Sequence, residues 1–287
     1  MPKTKAQQSG SLQSILDLIP LEQDVFQGES PANGWKRVYG GQVVAQALVA
    51  ATRTVEDRTA HSLHSYFLRP GDTTIPIRFE VERLRDGKSF TTRRVVARQK
   101  GEAIFAMSVS FHKSEDGFDH QLPMPSVPHV DELPSQAELL VMLPEPMRRL
   151  FENDWPIEFR PVEYEWLLEP KSYKPVQHMW FRARKRLPGG IGIQQGALAH
   201  ASDWGIIETV LLPHGIFLVD PAVQVASLDH LMWFFRKFRI DEWLLYALDS
   251  PSAQGARGFC RGNIFRADGT LVASVAQEAL IRKRRPE

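Results

Sequence analysis

Three polar side chains fall where the hydrophobic pattern calls for apolar ones, and their types together point to water chemistry. The first is Asp203. GALAHASDWGIIETVLL, from Gly196 to Leu212, reads as one helix with Ala199, Ile206, Ile207 and Val210 as its apolar positions. A helical net puts Asp203 on that face, although Asp is a mediocre helix former away from the N-cap. A buried carboxylate must pair, collect hydrogen bonds or hold its proton more tightly, and general bases exploit the last option. The plainer alternative turns Asp203 sideways to solvent, or pairs it with His200 or His230. The second is Gln277. In LVASVAQEALI, strand alternation gives one face to Leu271, Ala273, Val275, Gln277, Ala279 and Ile281, and only Gln277 is polar. The third is Ser227. Read as a single strand, AVQVASLDHLMWFF puts it on a face with Val223, Val225, Asp229, Leu231 and Trp233.

Each residue alone has an ordinary explanation, as a satisfied core amide or a common buried hydroxyl. Together, an acceptor, an amide and a hydroxyl on elements that pack against one another can hold one water by several bonds. That is the equipment of a hydrolase that uses water directly. His61 and His64 offer a different base, because imidazole titrates near neutrality. Other chemistries lack their signatures: the chain has no Gly-x-Ser-x-Gly, no Walker motif, no Gly-x-Gly-x-x-Gly and no His-Glu-x-x-His. The single cysteine, Cys260, cannot form an internal disulfide, fits a reducing cytoplasm and reads as structural. No cysteine cluster marks a zinc site, and no metal or cofactor is expected.

The elements that must position these groups come in two similar sets. SLQSILDLIP is a short amphipathic helix closed by proline, and GGQVVAQALVAATRTV a long, mostly buried one. About four antiparallel strands follow, in HSLHSYFLRPGD, IRFEVERLRDG and SFTTRRVVARQKGEAIFAMSVSFHK. Lys113 to Pro156 is rich in proline and acid, and reads as a linker with a helical patch around Gln136 to Glu152. The second half repeats the plan: strands EFRPVE and VQHMWFRARKR, PGGIGIQQ leading into the Asp203 helix, then AVQVASLDHLMWFF, EWLLYALDS, ARGFCRGNIFRADG and GTLVASVAQEALIRK. Glycine pairs precede both long helices (Gly40-Gly41, Gly189-Gly190), and Ser62-Leu63-His64 echoes Ser227-Leu228-Asp229. This predicts an α+β chain made by duplication of one folding unit, with units at 1–113 and 157–287 and a linker at 114–156.

Composition narrows the partners. The chain has 287 residues, 43% hydrophobic and 24% charged, with net charge +1, so electrostatics gives no reason to expect nucleic acid as a partner. MPKTKAQQSG lacks the apolar core of a signal peptide, and Glu208, Asp220 and Asp229 break the apolar stretches, so no bilayer span is expected. The ending RKRRPE is not a Ser-Lys-Leu address, and Arg282 to Arg285 reads as a solvated tail, with attraction to a membrane or to phosphate as the alternative. A cytoplasmic protein is the expectation.

VYGGQVVAQALVAA, HSLHSYFLRPGD, LRDGKSFTTRRVVA, LDHLMWFFRKF, EWLLY and ARGFCRG occur in one order and span nearly the whole chain. In these blocks the sequence resembles the type II acyl-CoA thioesterases, the double-hotdog family. The resemblance implies two antiparallel sheets, each wrapped around a long helix and fused in one chain, acting on fatty acyl-CoA. It also implies an Asp, Thr/Ser and Gln triad that orients the hydrolytic water. These fall on Asp203 in HASDWG, Ser227 in VASLDH and Gln277 in SVAQEA. Family members often carry Thr where this chain has Ser227, so the hydroxyl is kept and the β-branch that fixes its rotamer is lost. For such a reaction, Gly41 at a helix start is the expected oxyanion donor, with close helix packing as its ordinary role. Trp204, Met232, Trp233 and Phe234 are candidates for an acyl slot, and core packing explains them equally. Arg257 and Arg261 are candidates for the CoA phosphates. Exposed sheet edges suggest a homo-oligomer. Two alternatives stand beside this reading. One is a hotdog enoyl-CoA hydratase, against which Glu208 stands where such enzymes resemble an Asp with a His five residues later. The other is a non-catalytic acyl-CoA binding module.

Overall fold

The computed structural model describes residues 11–31, 37–145, 147–148 and 155–284. Alternating apolar residues and tight turns build the first half from α1 (Leu12–Leu16), β1 (Ile19–Glu22), β2 (Val25–Gly28), α2 (Gly40–Thr52), β3 (Thr59–Phe67), β4 (Ile77–Asp86), β5 (Phe90–Gln99) and β6 (Glu102–His112). The β1–β2 hairpin has no counterpart in the sequence expectation. After β6 come α3 (Gln136–Met142), β7 (Ile157–Pro161), α4 (Glu165–Leu168), β8 (Val176–Ala183), α5 (Ile191–Ser202), α6 (Glu208–Leu211), β9 (Val223–Ser227), β10 (Asp229–Phe234), β11 (Leu244–Gln254), β12 (Arg257–Arg266) and β13 (Leu271–Lys283). Helix α3 covers the start of the predicted helical patch, which then runs into residues outside those described. No helix among the described residues is long and apolar enough to cross a membrane.

Strand order makes the duplication visible. β2-β4-β5-β6-β3 in the first half has the same plan as β8-β11-β12-β13-β10 in the second. The two expected sheets are continuous: β3 pairs with β10 antiparallel, Ser65 opposite His230, so one sheet carries both halves. Helices α2 and α5 lie antiparallel and unusually close against it. A Cβ on Gly196 would sit 2.8 Å from Val49, and one on Gly192 2.5 Å from Thr52. Every residue from Gly41 to Ala51 is buried, as expected for a helix enclosed on all sides.

The predicted helix through Leu212 does not exist as one piece. It ends at Ser202 with Asp203 as its C-cap, and Gly205 at φ +79° reverses the chain before α6 begins at Glu208. Left-handed backbone there suits glycine. Asp203 is therefore buried because a helix end meets another element, not because of its place on an apolar stripe.

The single strand expected for AVQVASLDHLMWFF is also two. Ser227 pairs with Ala279 and Leu231 with Ala276, so four steps on one strand face three on the other. The extra residue is a β-bulge at Leu228, which flips the alternation. Directly opposed residues share a face. Ser227, opposite Ala279, and His230, which alternates with Met232 opposite Val275, therefore both lie on the Gln277 face. Asp229 turns the other way, where its Oδ1 accepts from the Glu278 N–H at 2.6 Å.

Candidate active site

The C-terminal end of α5 is a poor place for a carboxylate, since the helix dipole is negative there. The opposing end of α2 offsets this. Gly41 N–H donates to Asp203 Oδ2 at 2.8 Å, which is the anion-binding geometry of a helix N-terminus. The last carbonyls of α5 would otherwise lack partners. Tyr39 OH donates to His200 O and Tyr246 OH to Ser202 O, both at 3.0 Å. Burial pushes both phenols well above their ordinary range, so they remain donors. Asp203 is thus anchored through Oδ2, its side chain 5% exposed. Its other oxygen, Oδ1, is buried and has no hydrogen-bond partner. An unsatisfied buried carboxylate oxygen requires an explanation, and a water or substrate atom supplies one.

Gln277 is fully buried. Its Nε2 donates to Ser227 Oγ at 3.0 Å, and its Oε1 lies 2.5 Å from His230 Nδ1. His230 Nδ1 is also 4.0 Å from Asp203 Oδ1. Asp203 and Ser227 both line a crevice of about 780 Å³, a volume suited to a sizeable organic ligand. Its apolar wall includes Val43, Phe67, Ile104, Trp204, Ile207 and Val225, and its border carries the exposed cations Arg37, Arg69 and Arg284. The structure thus brings Asp203, Ser227 and Gln277 together through His230, which the sequence offered only as a partner for Asp203.

Several sequence expectations are corrected. The Gly41 N–H, expected to serve an oxyanion, is engaged by Asp203. Met232 is fully buried in the core, with its sulfur 3.3 Å from Ser202 Oγ, and does not line the crevice. Trp233 is on the opposite face of β10, edge-on to His64 at 5.3 Å. Phe234 is likewise a core residue. Arg257 and Arg261 project outward from β12 and pair with Glu278 and Asp249, at 2.9 and 2.7 Å. His61 bonds Ser110 Oγ at 2.7 Å, and neither it nor His64 reaches the crevice. Trp204 does line it. Arg284, from the basic run read as a solvated tail with phosphate attraction as the alternative, lies at its border, whereas Arg37 and Arg69 had no local signal in the sequence.

Glu208 also lines the crevice. Burial, with the Asp203 charge adding, pushes its carboxyl up to about 7. The folded chain therefore binds this proton more tightly than the unfolded chain does. Stability from this group is present at low pH and is lost as pH rises from about 4.5 towards 7. Glu208→Gln, which cannot ionise, is expected to gain about 1–3 kcal/mol over the parent at pH 8 and little at pH 4. Thermal melts of both proteins at the two pH values check this.

Similarity to known proteins identifies the family. A family model described as acyl-CoA thioesterase matches residues 146–280, and one for an acyl-CoA thioesterase N-terminal domain matches residues 29–112. Acyl-CoA thioesterase 2 of Haemophilus influenzae is 39% identical over 282 residues, covering 96% of this chain and 99% of that one. The crystal structure of an acyl-CoA thioesterase II from Mycobacterium marinum superposes with a TM-score of 0.80 at 43% identity, covering 96% of this chain and 99% of that one. A protein from Alicyclobacillus acidocaldarius described as having a hot dog fold shares the fold alone, with a TM-score of 0.78 at 17% identity, covering 96% of this chain and 98% of that one. Matched in both halves and along nearly its full length, this chain belongs to the acyl-CoA thioesterase family.

Proposed function

We propose that this chain hydrolyses fatty acyl-CoA to free acid and CoA by direct attack of a water molecule held at Asp203. The carrying observation is Asp203, which lines the apolar crevice together with Ser227 and whose Oδ1 is buried without a hydrogen-bond partner. A water there donates one proton to Asp203 Oδ1. Its position is set by Ser227 Oγ and the Gln277 amide behind it. Its remaining lone pair attacks the thioester carbon while Asp203 takes the proton. The tetrahedral intermediate then collapses, the C–S bond breaks and CoA leaves as the thiolate. Holding the water in line supplies several kcal/mol of barrier lowering.

Incubation with palmitoyl-CoA and a thiol-reactive dye tests the reading. Steady thiol release is the expected result. Loss of enoyl absorbance with crotonyl-CoA would instead mean a hydratase, and tight binding with neither signal a binding module.

In this reading Arg37 and Arg284 meet the CoA phosphates. Replacing either by alanine is expected to raise KM about 3- to 10-fold at low salt and leave kcat within about 2-fold, as for loss of uniform binding. The difference should shrink as salt rises. Steady-state kinetics at two ionic strengths decides it. The exposed Tyr66 and Phe235 beside the β3–β10 seam support association of copies, which light scattering reports.

A further inference from the structure

We propose that His230 is a positioning residue that sets which way the Gln277 amide points, an inference that rests on the hydrolytic reading above. His230 is fully buried, and both of its ring nitrogens have partners in the site. Ser202 Oγ lies 2.9 Å from Nε2, and Gln277 Oε1 lies 2.5 Å from Nδ1. Two hydrogen-bond patterns satisfy these distances. In one, Nδ1 carries the proton, donates to Gln277 Oε1 and leaves Nε2 to accept the single Ser202 hydroxyl proton, which at 2.9 Å it takes in preference to Ala199 O at 3.1 Å and Met232 S at 3.3 Å. In the other, the imidazole is the opposite tautomer and the amide is reversed, presenting its oxygen to Ser227.

The Asp203 carboxylate chooses between them. Its unpartnered Oδ1 lies 4.0 Å from His230 Nδ1. A proton on Nδ1 faces that oxygen favourably, whereas a lone pair there would be repelled by it at the same distance. The geometry therefore assigns the proton to Nδ1 and the amide oxygen of Gln277 to His230. Gln277 then turns its NH2 group, a pure donor, towards Ser227 and the water. One imidazole thus reads the charge of the base and sets the polarity of the amide that aims the nucleophile. The bulge at Leu228 makes this possible, because it places Ser227 and His230 on one face of the sheet. The backbone of His230 is anchored independently, its carbonyl accepting from Ser65 Oγ at 2.7 Å.

The test uses His230→Asn, whose amide nitrogen can take the place of Nδ1, and His230→Gln, whose amide reaches the place of Nε2. Thiol release from palmitoyl-CoA is measured for both and for the parent. His230→Asn is expected to keep kcat within about 10-fold of the parent. His230→Gln is expected to lose about 100-fold in kcat, the scale of a misplaced reacting group, with KM within about 3-fold. In the Gln277→Ala background, His230→Gln should cost less than about 3-fold more, because the group it positions is gone. Equal kcat in all three singly varied or parent proteins overturns the proposal. So does an equal loss in the Asn and Gln variants, or full additivity with Gln277→Ala. A parent protein that releases no thiol contradicts the hydrolytic reading instead, so the two failures are distinguishable.

Discussion

Asp203→Asn is expected to lower kcat by about 10³-fold, within the range general-base catalysis supplies, while leaving KM within a few-fold and the melting temperature nearly unchanged. The asparagine oxygen can still accept from Gly41 N–H, so the α2–α5 contact and the fold survive. What is lost is the basic oxygen at Oδ1, the buried atom without a partner. The loss corresponds to about 4 kcal/mol of transition-state stabilisation. Asp203→Ala differs, since it also leaves the Gly41 N–H unpaired in a buried place, which costs about 1–3 kcal/mol of stability. Measuring kcat, KM and thermal melts for both separates the base from the anchor. An Asn variant as fast as the parent would remove Asp203 from the chemistry.

The second large effect belongs to Gly41. A Cβ there would stand 2.4 Å from the His200 carbonyl oxygen and 2.7 Å from the Tyr39 ring. The carbonyl is helix backbone and cannot step aside, so α2 must move away from α5. Overpacking costs about 1–3 kcal/mol and occasionally more. Gly41→Ala should sit at the upper end, at about 3 kcal/mol or beyond, because its neighbour is backbone. Allowing roughly 2–4 °C per kcal/mol, the melting temperature should drop by about 6–12 °C. Activity should fall as well, since the same shift pulls the donor from Asp203. Gly40→Ala is the informative comparison. Its Cβ would meet Asp203 Oδ2 at 2.8 Å and the Phe67 ring at 3.1 Å. Both are side-chain atoms that can move, so activity should suffer more than stability. Calorimetry and kinetics on the two variants check the contrast, and a Gly41→Ala protein melting within about 2 °C of the parent would contradict it.

Much of the architecture was legible in the sequence because burial leaves periodic marks. The two long helices, the strands after each and the repeated order were all readable from apolar spacing and turn residues. The β1–β2 hairpin escaped because its first strand is exposed along its length and carries no alternation. Asp203, Gln277 and Ser227 stood out because each breaks an apolar pattern, and the fold links them through His230. Their mutual orientation was not legible. One glycine, Gly205, ends the helix before the apolar positions used to place Asp203. One bulged residue, Leu228, reverses the side-chain alternation, so His230 joins Ser227 and Asp229 leaves it. Strand periodicity has no memory across such a residue. The gathering of the bordering cations was hidden for another reason, although the basic run at Arg282 to Arg285 was visible. Arg37, Arg69 and Arg284 come from distant parts of the chain, and only the tertiary structure gathers them around one crevice.

The central claim is that solvent, not a side chain, attacks the thioester carbon. A single turnover in 18O-labelled water, with excess enzyme over acyl-CoA, tests it most directly. Mass spectrometry of the released acid and of the peptide containing Asp203 then locates the label. Direct attack predicts 18O in the acid on the first turnover and none in the Asp203 carboxylate. An unlabelled acid with label in Asp203, or an acyl group trapped on the protein, would mean that the carboxylate attacks first and would contradict the account.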